Sequence, residues 1–110
     1  MATKDEREPF TRISPQEAKE MLDNGATIID VREKFEYDSG HVPGAKLIPV
    51  NTVYARREEL PKDGDVLLIC AVGQRSALAA EMAAAAGLTR IFNVEGGTEA
   101  WIQSGQPVER

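Results

Sequence analysis

Short aliphatic runs separated by helix-like segments form the basic pattern of the chain. The run Val66-Leu67-Leu68-Ile69 is apolar at every position, which is typical of a strand buried on both faces of a sheet, and the next residue is Cys70. Four further strands are predicted, over residues 10–13, 27–31, 46–50 and 90–94. We expect the first of them to lie at an edge of the sheet.

The segments between these strands have recognisable helix ends. Ser14-Pro15-Gln16-Glu17 is a capping box with proline at the first helical position, and Asn24-Gly25 ends the helix that it begins. Further helices are predicted over residues 33–39, 52–60 (capped by Asn51) and 76–86, and after Gly96-Gly97. Strands that alternate with helices predict an α/β fold, with a mostly parallel central sheet and helices on both faces. We assign residues 10–110 to this single domain and residues 1–9 to a flexible, charged arm.

Cys70 is the only cysteine and lies where the predicted central strand meets a short loop and then a helix. In open α/β sheets, ligands bind at this carboxyl-end rim. The backbone amides of residues 71–76 can surround a small anion, and Gly73 is free to adopt positive φ. A helix N-terminus and Arg75 add positive charge. These features favour thiolate over thiol at Cys70.

A lone cysteine that ends a buried strand is otherwise a small hydrophobic residue. That interpretation leaves the neighbouring sequence unexplained, because packing a sulfur atom requires neither the glycine nor the arginine that follow within five residues. We therefore interpret Cys70 as a nucleophile.

Composition narrows the classes of partner. Eighteen acidic and thirteen basic residues give a net charge of −5, which argues against nucleic acid or an anionic membrane as a partner. Any attraction for an anionic substrate must therefore be local to the loop. A single cysteine permits no internal disulfide, and no cysteine–histidine cluster predicts a metal site or a cofactor. The start of the chain lacks the apolar core of a signal peptide, and no apolar run has the length of a membrane span, so we expect a cytoplasmic protein.

Three stretches of the chain together resemble the rhodanese (thiosulfate sulfurtransferase-like) family in its single-domain form. The first stretch runs from Ile29-Asp30-Val31-Arg32-Glu33 through Glu36-Tyr37 to Gly40-His41-Val42-Pro43-Gly44-Ala45. The second is the loop Cys70-Ala71-Val72-Gly73-Gln74-Arg75-Ser76. The third is Gly96-Gly97-Thr98-Glu99-Ala100-Trp101, with Gly105-Gln106-Pro107-Val108. Each is a weak signal alone, but their order and spacing strengthen the resemblance.

The resemblance implies that Cys70 accepts a sulfane sulfur from thiosulfate or a persulfide and passes it, as a Cys70 persulfide, to a thiophilic acceptor such as cyanide, a small thiol or a protein thiol. It implies that the loop residues Ala71, Val72, Gly73, Gln74, Arg75 and Ser76 bind the substrate. Arg75 is expected to hold the donor at the mouth of the loop, its alternative being a solvated surface residue. For Ser76, capping of the helix is preferred over donation to the sulfur.

Other residues of these motifs are assigned supporting roles. Asp30 and Arg32 are expected to form a structural ion pair below the site rather than to act in catalysis. For His41 a hydrogen bond that fixes its turn is preferred over acid–base work, and for Trp101 a place in the core is preferred over ligand binding.

Two other functional classes remain open. Cysteine-dependent phosphatases and arsenate reductases need five residues between cysteine and arginine, whereas four separate Cys70 from Arg75 here. A non-catalytic sulfur carrier or binding module would take up sulfur without turnover. One departure also bears on the donor: several thiosulfate-using members carry a basic residue directly after the cysteine, where this chain has Ala71, which places thiosulfate in doubt.

Overall fold

The computed structural model describes residues 2–110, in which six strands form one sheet. The strands are β1 (Thr3–Lys4), β2 (Thr11–Ile13), β3 (Thr27–Asp30), β4 (Lys46–Leu47), β5 (Val66–Ile69) and β6 (Ile91–Val94). Their order across the sheet is β1-β2-β6-β5-β3-β4, and every neighbouring pair is parallel except β1 and β2. The predicted mostly parallel sheet is confirmed, and β5 lies inside it, with β6 on one side and β3 on the other.

Four α-helices connect or follow these strands within residues 2–110. They are α1 (Pro15–Asp23), α2 (Lys34–Ser39), α3 (Gln74–Ala85) and α4 (Gly97–Gln103). The capping box of α1 forms as predicted: the Glu17 amide donates to Ser14 Oγ at 3.1 Å, and the Ser14 amide donates to Glu17 Oε1 at 2.9 Å. Pro15 has no amide proton, so two of the three amides that lack a partner within the helix, those of Ser14 and Glu17, gain one, which fixes where α1 begins.

The fully buried strand β5 divides the core into two clusters. Leu68 and Cys70 face one side, where Ala79 and Ala83 of α3 pack against them, among other residues. Leu67 and Ile69 face the other side, in a cluster that contains Trp101 of α4. Because successive side chains of a strand point to opposite faces, a run of four aliphatic residues requires cover on both sides. The predicted helices on both faces are confirmed, and so is the core position of Trp101, which is 1% exposed.

The predicted helix over residues 52–60 is wrong. Two short 3₁₀-helices, Val50–Thr52 and Arg57–Glu59, occupy this part of the chain. Val53 and Leu60 are the buried apolar residues here, and they lie seven positions apart with charged residues between them. This spacing anchors the segment at two points without the continuous apolar stripe that stabilises a helix on a core.

The predicted edge position of residues 10–13 is also wrong. The strand β1, which lies within the segment assigned to a flexible arm, pairs with β2 through Thr3 opposite Arg12 and Lys4 opposite Thr11. Both residues of β1 are exposed, so this two-residue strand leaves no hydrophobic signature in the sequence.

A buried ion pair lies at the carboxyl end of β3. Arg32 donates from Nη2 to Asp30 Oδ2 at 2.8 Å and to the Gly40 carbonyl at 2.8 Å, and its Nε lies 3.0 Å from Asp30 Oδ1. Asp30 is fully buried and Arg32 is 5% exposed. The predicted ion pair is confirmed, and it ties the end of β3 to the turn that follows α2. Within residues 2–110, no helix combines the length and apolarity needed to cross a membrane.

Removing one charge of this pair should destabilise the fold strongly. We expect Arg32→Met to lower the free energy of unfolding by about 3–5 kcal/mol, because Asp30 would become a buried charge without a partner. Urea denaturation followed by circular dichroism measures this loss. The double variant Asp30→Asn/Arg32→Met, which removes both charges, should recover part of the stability. Equal stability of the single and double variants would show that burial of the Asp30 charge is not the cause.

Candidate active site

Cys70 directly follows β5 at the carboxyl-end rim of the sheet, and its side chain is almost fully buried. It is 1% exposed and belongs to the cluster that contains Val31, Leu68 and Ala79. The sulfur therefore packs partly against aliphatic side chains. Only a small part of its surface is open to a reagent.

On its polar side the sulfur belongs to a closed ring of hydrogen bonds. The Gly73 amide donates to Cys70 Sγ at 3.0 Å, and Ser76 Oγ lies 3.4 Å from the same sulfur. Ser76 Oγ donates to Asn93 Oδ1 at 2.5 Å, and Asn93 Nδ2 donates to the Gly73 carbonyl at 3.3 Å. The ring thus returns to the glycine at which it began. It couples the position of the sulfur to that of a buried side chain on β6.

The loop conformation depends on Gly73, and the start of α3 differs from prediction. Gly73 has φ of 105° and is the N-cap of α3, so the predicted positive φ is confirmed. The helix begins at Gln74 rather than at Ser76, and the preferred capping role of Ser76 is wrong. Ser76 is the third residue of the helix, in its first turn, and is fully buried, with its hydroxyl 3.4 Å from the sulfur. Of the predicted ring of amides from residues 71–76, the contact with Sγ that the structure shows is that of Gly73.

The N-terminus of α4 holds the backbone of Cys70 in place. Thr98 donates to the Cys70 carbonyl twice, from its amide at 2.7 Å and from Oγ1 at 3.1 Å, and the Glu99 amide donates to the Ala71 carbonyl at 3.2 Å. Gly97 makes this approach possible, since a Cβ atom there would lie 2.4 Å from the Cys70 carbonyl oxygen. The glycine pair of the third motif thus serves the cysteine loop directly.

Arg75 is paired with a side chain from another part of the rim. Its Nη1 and Nη2 donate to Glu36 Oε1 and Oε2 of α2 at 2.7 and 2.9 Å. The hydrogen bonds from Arg75 hold the pKa of Glu36 at about 2. Glu36 in turn raises the pKa of Arg75, and the acidic groups of Cys70 and Asp30 add smaller contributions. The guanidinium lies within electrostatic range of Cys70, and its charge is already countered by Glu36.

The remaining predicted residues have mixed surroundings. Val72 is 51% exposed, and together with Gly73, Gln74 and Asn93 it lines a groove of about 350 Å³ beside the loop. His41 Nδ1 lies 2.8 Å from the Tyr37 carbonyl, and its ring stacks on Tyr37 at 3.6 Å, so the predicted turn-fixing hydrogen bond is confirmed. No cluster of three or more metal-ligating side chains occurs among the residues that the structure describes.

The site thus consists of a single buried cysteine at the end of a central parallel strand, in a loop that hydrogen bonds from α4 hold in place. This combination of fold and site indicates the class of protein. The profile of the rhodanese-like domain matches residues 14–104, and the chain belongs to that family. The fold agrees with a solved structure, the rhodanese-related protein from Thermoplasma volcanium, with a TM-score of 0.83 and 36% identity over 89% of this chain and 96% of that one.

Two curated relatives show the range of proteins that carry this domain. The thiosulfate sulfurtransferase GlpE of Actinobacillus pleuropneumoniae is 36% identical over 104 residues, covering 93% of this chain and 95% of GlpE. The "Probable adenylyltransferase/sulfurtransferase MoeZ" of Mycobacterium tuberculosis is 36% identical over 99 residues. That match covers 86% of this chain but only 25% of MoeZ, so the domain also occurs as part of a longer protein. The chain therefore has sulfurtransferase homologues at modest identity.

Three residues of the site carried no assigned role in the sequence: Glu36, Asn93 and Thr98. Each reaches the cysteine loop from a distant part of the chain, so local spacing gives no signal for it. Asn93 offers the one usable hint, because an amide inside an apolar strand must find a partner when buried.

Adding a methyl group at Gly97 should damage the site by displacing the loop backbone. Gly64→Ala is the matched control, because Gly64 also has positive φ (83°) but no atom within 4 Å of the added Cβ. We expect Gly97→Ala to lose about 1–3 kcal/mol more stability than the control, owing to overlap with the Cys70 and Ala71 backbone. Thermal and urea unfolding of both variants measure the difference. Equal losses would mean that only the positive φ of Gly97 matters.

Proposed function

We propose that the protein is a sulfurtransferase in which Cys70 carries the transferred sulfur as a persulfide. The observation that carries the proposal is the contact of the Gly73 amide with Cys70 Sγ at 3.0 Å, within a loop of a rhodanese-like domain. An amide hydrogen bond favours negative charge on the sulfur. The loop amide therefore supports a cysteine that reacts as its thiolate.

The proposed reaction has two displacements at sulfur. The Cys70 thiolate attacks the sulfane sulfur of the donor, the S–S bond of the donor breaks, and sulfite (from thiosulfate) or a thiolate (from a persulfide) leaves with the bonding electron pair. The acceptor then attacks the outer sulfur of the Cys70 persulfide, and the Cys70 thiolate is released. No net oxidation occurs and no cofactor is required. The sequence of steps corresponds to a ping-pong mechanism.

The other loop residues have supporting parts in this proposal. Ser76 and the Gly73 amide contact the reacting sulfur. Arg75 is held beside the loop by its pairing with Glu36. Asp30 and Arg32, which contact each other and the Gly40 carbonyl, support the rim without taking part in the chemistry.

The decisive test is intact mass spectrometry of the protein after exposure to thiosulfate and, separately, to a persulfide. We expect the wild type to gain one sulfur atom and Cys70→Ser to gain none, because Cys70 is the only thiol of the chain. The hydroxyl of serine has nearly the volume of the thiol, so the fold should survive, and circular dichroism checks this. Sulfur uptake by a folded Cys70→Ser variant would contradict the proposal.

A sulfur carrier is the second candidate, and the burial of Cys70 favours it. A persulfide that is 1% exposed at its base is better suited to release on contact with a docked partner than to reaction with any free thiol. Turnover with cyanide distinguishes the two candidates. An enzyme should form thiocyanate continuously from thiosulfate and cyanide, whereas a carrier should give a single stoichiometric burst.

Phosphatase chemistry should be absent from this site. The loop places Arg75 one position earlier than phosphatase loops require, and that arginine is held by Glu36. We expect the rate of p-nitrophenyl phosphate hydrolysis to be the same for the wild type and for Cys70→Ser. A cysteine-dependent rate comparable to that of sulfur transfer would show that the loop accepts a phosphoryl group.

A further inference from the structure

The pairing of Arg75 with Glu36 determines the charge that a sulfur donor meets at the site. Both terminal nitrogens of the Arg75 guanidinium donate hydrogen bonds to Glu36, each to a different carboxylate oxygen, at 2.7 and 2.9 Å. The two side chains are 34% and 22% exposed, so water screens the pair only in part. A bidentate pair of this kind is geometrically specific and stronger than a single contact.

Glu36 is also held from the other side. Its Oε1 accepts the Glu33 amide at 3.0 Å, as the N3 residue of the cap of α2. With its pKa at about 2, Glu36 stays ionised throughout the physiological pH range. The carboxylate is therefore a permanent part of the mouth rather than a pH-dependent one.

The other charges near the loop oppose one another: Arg12 and Glu95, which line the groove beside it, carry opposite charges. The loop residues Ala71, Val72, Gly73 and Gln74 are uncharged, and the Asp30–Arg32 pair beneath the loop is neutral as a unit. Arg75 is the full positive charge that the loop sequence provides, and Glu36 opposes it. Within the loop itself, what remains for an anionic group is the Gly73 amide and the partial positive charge at the N-terminus of α3.

We propose that Glu36 is a specificity-determining residue, which cancels the charge of Arg75 and makes the site select persulfide donors of low negative charge over dianionic donors such as thiosulfate. This inference deepens the proposed function and rests on it, since it concerns the donor of the same reaction. A dianion loses twice as much attraction as a monoanion when one positive charge is neutralised. The net charge of −5 on the chain works in the same direction.

The test measures the electrostatic potential at Cys70 and does not require sulfur transfer. Iodoacetate and iodoacetamide alkylate the same thiol by the same displacement, and iodoacetate alone carries a negative charge. The ratio of their rate constants therefore reports the local charge, while the iodoacetamide rate alone reports access to the buried sulfur. Cys70 is the only site of reaction with a thiol reagent in this chain.

Glu36→Gln should raise the ratio of iodoacetate to iodoacetamide rates by about three- to tenfold, because one negative charge leaves the mouth. Glutamine can still accept the Glu33 amide in the cap of α2, so the helix start should persist. Arg75→Gln should lower the ratio. The double variant Glu36→Gln/Arg75→Gln has the same charge at the mouth as the wild type and should return the ratio to near the wild-type value. Glu81→Gln, an exposed position on α3, makes the same change in net charge and should leave the ratio unaltered.

Two results would overturn the inference. An unchanged ratio in Glu36→Gln would show that the carboxylate has no effect on the potential at the sulfur. An equal rise in both rates would show that Glu36 restricts access to Cys70 rather than setting its charge. Either result can occur whether or not Cys70 accepts sulfur, so failure here is distinguishable from failure of the proposed function.

The same variants also test which sulfur donor the site prefers. We expect Glu36→Gln to raise kcat/KM for thiosulfate by about tenfold or more, and to change it far less for the persulfide of N-acetylcysteine methyl ester, whose only charge is on its terminal sulfur. A parallel rise for both donors, or no rise for thiosulfate, would contradict the proposed selectivity.

Discussion

The site depends on the hydrogen bonds that α4 donates to the carbonyl of Cys70. A loop that follows a central strand has no sheet partner beyond the strand end, and its backbone must find other donors. Thr98 provides two of them, and Glu99 provides a third to Ala71. This fixes the carbonyl side of Cys70, so that the Gly73 amide can be directed at the sulfur. The arrangement works only because residue 97 lacks a side chain.

The core and the cysteine loop follow from the sequence because their signals are local. Four consecutive aliphatic residues identify β5, a capping box identifies the start of α1, and Gly73 identifies the turn into α3. The helix predicted over residues 52–60 does not form because no buried residue lies between Val53 and Leu60 to complete an apolar stripe against the core. Ser76 was misassigned because the helix starts two residues earlier, which turns its hydroxyl from the cap toward the sulfur.

The contacts that define the chemistry of the site are long-range and could not be predicted. Glu36 and Arg75 are 39 positions apart, and Ser76 and Asn93 are 17 apart. No periodicity links such residues. Their pairing is decided by the order of strands in the sheet, which brings β3 and β6 to either side of β5. The charge around the cysteine loop is thus a property of the topology, not of the loop sequence alone.

The closed ring through Ser76 has a consequence for the state of the sulfur. A hydroxyl can donate one hydrogen bond, and Ser76 donates its hydrogen bond to Asn93 Oδ1. The 3.4 Å contact between Ser76 and Cys70 can then be a hydrogen bond only if the sulfur is the donor, that is, a thiol. Once Cys70 has lost its proton, rotation of the hydroxyl by one torsion angle turns the same proton toward the anion and leaves the Asn93 oxygen to be satisfied. The charge on the sulfur is therefore coupled to the hydrogen bonding of Asn93, a buried amide on β6.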